Sequence, residues 1–596
     1  MTAPPRPFFA SSGERGVMRG GARAVVAVVA LASLGACGAP PARRALAAPA
    51  SPTVSRGVAG RGMKLDLAQV PGGLHVRAEA SGSANELRAW RLGDDVGAIA
   101  VIDANDRPLA FQRDGQRVTI AGNATTVVLR YDLLSKDRPQ GAPPVDGEDA
   151  RATLIDEQRF RGLGERVLAL PEAFERTAVP IAFQQSALPG GLVVASSFGT
   201  GRERVTQRLE LPGRSLRRAA FLFGPGGRAE LDAPEGHDES AWLGYTAFDC
   251  RAVSAEVAGF RGVLHEYFKD VELAPATLLF TVDARPRGNY RVLRTHSGVL
   301  VVLSGLDPFD ASLRLAVAHE LVHAWIGERT WVGDPTPGRE VEGLWFQEGV
   351  ARWVAREQLA RVGLLSPEEY AAEMNRLLAI VTTSRHASRP QKELLADADA
   401  PGVIALLVAR GALFATAVDA RIRERSRGAR SFDDVVRALS VRAEETHAPL
   451  PAAVVFELLG RELGEAQARE DFEDYVVSGK KTRAAESALG GCFEAAEVAY
   501  EIHAPGFDVT ASRAAHAVTG VQPNGPAAAA GLRNGDVLGS ADVPDRVDRT
   551  AKVEVTREGK SVLITYRPTA GSRRGQGFRR KGALSDEACR KLALRK

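Results

Sequence analysis

Cysteine is nearly absent from this chain: there are four in 596 residues, and no two stand at a metal-ligand spacing. A cysteine-held metal centre is therefore excluded. An excess of one charge is missing too. Lys and Arg number 77 against 73 Asp and Glu, a net +4 that gives no footing for a nucleic-acid partner. Much of that surplus sits in SRRGQGFRRKG and RKLALRK, which read as a solvated basic tail. No P-loop, nucleotide fingerprint or internal repeat occurs. Histidine is scarce, ten in all. What remains is ordinary globular composition, 45% hydrophobic and 25% charged. The length exceeds one hydrophobic core and predicts about three to four domains.

Two of the few histidines stand four apart in His-Glu-Leu-Val-His, residues 319–323. On a helix, His319 and His323 project from one face a turn apart and can grip one zinc ion. Glu320 between them is placed to take a proton from a water on that metal. The competing account is a surface helix with unrelated histidines. Leu313, Val317, Leu321, Val322 and Trp325 argue against it, because they make the segment apolar enough to be buried. Buried imidazoles and a carboxylate need a compensating partner, and a metal is one.

Such a site needs a third protein ligand and leaves a fourth position for water. Downstream, GLWFQEGVARWVA (343–355) reads as a second apolar helix, with Glu348 among Trp345, Phe346, Val350, Trp353 and Val354. Glu348 is the candidate ligand. The alternatives are a solvent-facing glutamate or a salt bridge to Arg352, and Glu342 is a rival ligand nearer the cap. The stretch between the helices, GERTWVGDPTPGREVE, reads as a loop.

HELVHAW and LWFQEG together resemble the glycyl aminopeptidase family of zinc metallopeptidases, a branch of the thermolysin-like gluzincins. The resemblance implies a β-rich N-terminal domain, a helical catalytic domain, a C-terminal PDZ domain, bound Zn2+, and cleavage of peptides with small N-terminal residues. Two positions depart from the family's pattern. The oxyanion-stabilising tyrosine expected three residues before Gly411 is Val408; Tyr370 or His386 would have to stand in. The strand before the zinc helix, RTHSGVLVVLSG (294–305), lacks the glutamate that holds a substrate's amino group. His296 in that strand reads as a structural histidine.

The chain divides by pattern. Arg15, Arg19 and Arg23 precede the apolar run AVVAVVALASL, too short to span a bilayer but suited to a signal peptide. Leu34-Gly35-Ala36-Cys37 resembles a lipobox, so residues 1–37 are expected to leave Cys37 lipidated; ordinary secretion is the alternative. Residues 38–62 read as an Ala/Pro-rich tether. Short alternating runs over 63–250 predict an all-β, sandwich-like domain, and 251–490 a thermolysin-like α+β and helical catalytic domain. Residues 493–570 carry GVQPNGPAAAAGLRNGDVL, which looks like a PDZ signature, with 571–596 as the basic tail. Only ADVPDRVDRTA separates two strands there, so the wall of a peptide groove is doubtful and so is capture of a peptide C-terminus. Cys492 and Cys589 bracket this last domain, and a disulfide between them is expected in an exported protein. The chain thus reads as an envelope-anchored, periplasm- or surface-facing zinc metallopeptidase acting on peptides or proteins. The alternative is a protease-like binding protein that keeps zinc and has lost efficient catalysis.

Overall fold

The computed structural model describes residues 60–593, apart from 136–149, 191, 234–235, 271–273, 286, 337–338, 399, 401, 544–546, 548 and 583. The expected signal peptide, Cys37 and most of the tether lie outside the described residues.

The alternating runs become strands. Gly62–Val70 and Gly73–Ser81 pair antiparallel across a tight turn, and Leu65, Leu67, Leu74 and Val76 all face inward. They sit in a six-stranded sheet with Arg204–Leu211, Val179–Ser186, Thr126–Leu134 and Ala100–Ile102. A five-stranded sheet, Gly199–Arg202, Val193–Ser196, Ala220–Gly224, Phe160–Leu163 and Leu154–Ile155, shares one core with it. Trp90, Phe160, Phe183, Phe221 and Phe223 fill that core. This is the β-rich N-terminal part.

The next sheet runs Gly226–Ala233, Gly236–Leu243, Thr277–Val282, Gly298–Leu303, Arg291–Thr295. Its central pairings are parallel, and Arg291–Thr295 is an antiparallel edge strand. Its first two strands come from before residue 250, so the structure draws this boundary earlier than the sequence pattern does. The alternating pattern of 226–243 identifies strands but cannot say which sheet they join. Helices cover this sheet. Cys250–Phe268 is capped by Asp249, and Ala311–Val322 by Asp310, whose carboxylate accepts from the Leu313 N–H at 3.0 Å. Ser366 and Glu369 form a capping box for Pro367–Thr383. Val403–Arg425 lies in the middle of the helical core. Among the described residues it alone is long and apolar enough to cross a membrane, and most of that length is buried inside the protein.

At the C-terminus a long ribbon pairs Phe493–His503 with Thr569–Arg580. A three-stranded sheet, Val537–Asp542, Ala551–Arg557 and Lys560–Tyr566, encloses a small core of its own with Phe507, Val518 and Leu532. The basic run read as a free tail is therefore largely a strand. Gln576 and Phe578 turn inward while Arg574 and Arg579 pair outward with Glu497 and Glu494. Backbone and side chain of this strand bond the helix Pro367–Thr383 through Asn375 and Thr382. Cys492 and Cys589 are joined in a disulfide with Cα atoms 5.1 Å apart; Cys250 is buried and free.

Candidate active site

His319 lies in the last turn of Ala311–Val322 and His323 caps it. Their Nε2 atoms stand 3.3 Å apart. His323 Nδ1–H donates to the carbonyl of Ile326 at 3.0 Å, which leaves its Nε2 as a lone pair facing inward. His319 Nδ1 is buried without a hydrogen-bond partner. Trp325, two residues on, fastens the helix end. Its indole stacks on Phe268 at 5.0 Å and donates to Asp270 at 3.0 Å.

Glu348 arrives from the facing element. Residues Trp345–Val350 form a π-helix that runs into the α-helix Ala351–Arg361. The wider turn of a π-helix shifts side chains relative to an α-helix, and such turns gather at functional sites. Here Glu348 Oε2 comes 2.9 Å from His319 Nε2 and 3.5 Å from His323 Nε2. Arg352 is engaged elsewhere, with Glu373 at 2.6 Å, so the salt bridge that competed for Glu348 does not form. Glu342 pairs with Arg339 at 3.3 Å on a short turn before the helix.

Charge follows this geometry. Burial alone would raise Glu348, but the two imidazoles packed against it hold its carboxyl well below the usual range. Burial lowers His319, favouring the neutral imidazole that ligates metal. For His323 burial is outweighed by Glu348 and Glu320, and the net shift is upward.

Two ligand atoms each about 2 Å from a tetrahedral zinc stand about 3.3 Å apart. The separations of 2.9, 3.3 and 3.5 Å among His319, His323 and Glu348 bracket that value. Glu320 belongs to the same cluster; its ligand atom and those of the two histidines lie within 4.8 Å of one another. The donor set of two imidazoles and a carboxylate suits zinc.

The cluster opens into a cleft of about 570 Å³. One wall is the edge strand, with Val292, Leu293 and Arg294. Another is the β-rich part, with Arg217 and Arg218. Glu320, Trp331 and Gln347 complete the floor. The candidates for the missing tyrosine stand elsewhere. Val408 is not among the cleft-lining residues. Tyr370 is buried and donates to Glu357 at 2.8 Å, and His386 accepts from Arg385 at 3.0 Å. His296 packs against Phe198, its rings 5.8 Å apart, and its backbone N–H donates to the Arg218 carbonyl at 3.0 Å. Sequence reasoning overlooked Arg218, Arg294 and Trp331. Arg294 opens the very stretch noted for its missing glutamate, and its charge was the available signal.

Fold and site define a zinc-dependent, aminopeptidase-like metallopeptidase. Residues 312–398 match the model of one particular family, the M61 glycyl aminopeptidases. Among solved structures, an aminopeptidase N family protein from Idiomarina loihiensis shares the fold. Its TM-score is 0.61 at 14% identity, over 89% of this chain and 100% of that one. An M1 zinc metallopeptidase from Deinococcus radiodurans aligns with TM-score 0.44 and 16% identity, over 70% of this chain and 94% of that one. No curated protein sequence matches the chain.

Proposed function

We propose that the protein hydrolyses peptide bonds at this cluster, with His319, His323 and Glu348 as the zinc ligands and Glu320 as the general base. The observation that carries this reading is the convergence of three ligand atoms, with Glu320 lining the same cleft. When bound, zinc supplies Lewis-acid activation of water and of a carbonyl. Glu320 takes the proton from the attacking water on a carboxylate oxygen and passes it to the leaving amine. Among the described residues no strand pairs with the outer side of the edge strand Arg291–Thr295, and the backbone groups of such an edge suit an extended peptide. Arg294 and the Trp331 indole N–H, which is buried without a partner, are donors available to a developing oxyanion. They favour an active enzyme over the alternative, a zinc-keeping binding protein with poor catalysis, which Val408 supports.

Purified protein is expected to hold one zinc per chain, and His323→Ala to lose it. Metal analysis reads this, and equal zinc in both would reject the site. Glu320→Gln should keep zinc and lose about 100- to 10,000-fold in hydrolysis, since an amide accepts no proton. Undiminished turnover would reject Glu320 as the base.

Two further readings belong with this one. The chain is exported and lipid-anchored through Cys37, on the strength of the short apolar run ending at that residue. Residues 493–570 are PDZ-like, supported by the turn at Gly525, the helix Pro526–Ala529 and the strand Val537–Asp542 after Asn534-Gly535-Asp536. A structural role suits that module better than peptide capture, because no helix is described between Val537–Asp542 and Ala551–Arg557.

A further inference from the structure

Arg294 is a long side chain with open space on two sides. It lines the cleft of the His-Glu-His cluster. It also lines a second cavity of about 160 Å³, which Thr295, Glu320, Trp325 and Glu328 help to enclose. An unanchored guanidinium there would sample both spaces. A donor that meets charge only as it develops must instead be fixed beforehand. Burial and the charge of Arg218 push Arg294 down to about 9 against the pull of Glu320 and Glu348, so it stays a cation at neutral pH.

Glu328 supplies the anchor. Among the described residues it is the one carboxylate within ion-pair distance of Arg294, and it takes Arg218 of the β-rich part at 2.7 Å as well. Its own backbone is held in a tight turn. There the Gly327 N–H donates to the Thr330 carbonyl at 2.9 Å, and the Thr330 N–H to the Trp325 carbonyl at 2.8 Å. Gly327 takes the left-handed φ of 96° that the turn requires. The Ile326 carbonyl of the same turn accepts from His323 Nδ1–H at 3.0 Å. One short turn thus ties the ring of a ligand histidine to the carboxylate that holds Arg294. The far side is tied too, since the His296 N–H, two residues past Arg294, donates to the Arg218 carbonyl at 3.0 Å. Glu328 is 39% exposed, and an ion pair so exposed adds little to stability. The contact serves placement more than it serves the fold.

We propose, resting on the peptidase reading above, that Glu328 is a positioning residue, which holds the Arg294 guanidinium toward the cleft as a donor to the oxyanion of the scissile carbonyl. In that step the water oxygen bonds to the carbonyl carbon and the water proton passes to Glu320. The carbonyl electron pair moves onto oxygen, where Arg294 meets it. Through Arg218 the donor is braced by the β-rich part, so its placement depends on how the two parts dock.

Full-length, zinc-loaded protein is assayed on tetraalanine. Glu328→Ala should lower kcat about 10- to 100-fold and leave KM within about 3-fold, because the bond it supports forms in the transition state. Glu328→Gln keeps a neutral acceptor and should recover part of the loss. Arg294→Gln should lose at least as much. Adding Glu328→Ala to it should cost less than about 3-fold more, since Glu328 acts through Arg294. Calorimetry gives a readout apart from turnover. A phosphonamidate peptide, whose tetrahedral group carries the anion, should bind Glu328→Ala about 10- to 100-fold more weakly than wild type. Tetraalanine itself should bind Glu320→Gln equally well with and without Glu328→Ala. Zinc content and the unfolding midpoint should match wild type throughout. Unchanged kcat in Glu328→Ala, a rise in KM alone, or full additivity with Arg294→Gln overturns the proposal and leaves the peptidase reading standing. Lost zinc or a lowered midpoint in both Glu328 variants makes the residue a structural brace and overturns it as well. Wild type that holds zinc but neither cleaves tetraalanine nor binds the phosphonamidate overturns both readings.

Discussion

At the scale of single residues, the convergence of the His-Glu-His group was legible because its information is local. His319, Glu320 and His323 fall within one turn, and a helical period is enough to put them on one face. Glu348 was legible for a different reason, since a carboxylate amid Trp345, Phe346 and Val350 calls for a partner. Arg218 was not legible. It lies 76 positions before Arg294 in the sequence and reaches it only through the packing of two domains, which no periodicity encodes. His296 sits at that junction and reports on it. Burial, and then the charges of Arg218 and Arg294, lower it from 6.5 to about 4. The native state therefore holds His296 neutral while the unfolded chain would protonate it. Its contribution is present above about pH 6.5 and is lost as pH falls through about 4. Replacing it with Gln should flatten the fall in stability across that window by up to one proton. Urea unfolding at several pH values checks this, and an unchanged slope would mean the ring is already solvated.

Among elements, the helix Val403–Arg425 and the π-helix Trp345–Val350 set each other's position through two glycines. A Cβ added to Gly411 would fall 2.1 Å from the Trp345 carbonyl oxygen, and one added to Gly349 would fall 2.7 Å from the Gly411 Cα. The sequence marked Gly411 as a landmark for a missing tyrosine; its physical role is to let the Glu348 segment approach. In an ordinary helix, Gly→Ala stabilises by roughly 0.5–1 kcal/mol. Gly411→Ala should reverse that sign and destabilise by about 1–3 kcal/mol through overpacking. Zinc occupancy should fall with it, because Glu348 is carried on the displaced segment. Denaturant titration and metal analysis of the same sample test the pairing of the two effects. The strand Thr569–Arg580 shows where elements escape sequence reading. Its arginine-rich surface hides an inward Gln576 and Phe578, and a two-residue period is easily lost among so many charges.

For the molecule as a whole, a β-rich N-terminal part followed by a helical one was legible from changes in pattern, whereas the seam between them was not. Asp283 is part of that seam. It lies 3.0 Å from Arg161 of the β-rich part and 2.7 Å from Arg285, and all three side chains are at most 3% exposed. Asp283→Asn would leave two buried guanidinium groups sharing a neutral amide. A loss of about 3–5 kcal/mol is expected, as when one partner of a buried ion pair is removed. Differential scanning calorimetry should show a lowered midpoint, and separate transitions for the two parts would identify the seam as the element that couples them. A shift within error would mean that solvent reaches the pair.

The bond between Cys492 and Cys589 spans 97 positions and closes the C-terminal segment into a covalent ring. A ring tolerates one cut. A single nick between these cysteines would leave both new ends attached to the body of the protein. The severed strand Thr569–Arg580 stays within reach of its partner and can re-pair at high local concentration. Only reduction, or a second cut, would let the segment drift away.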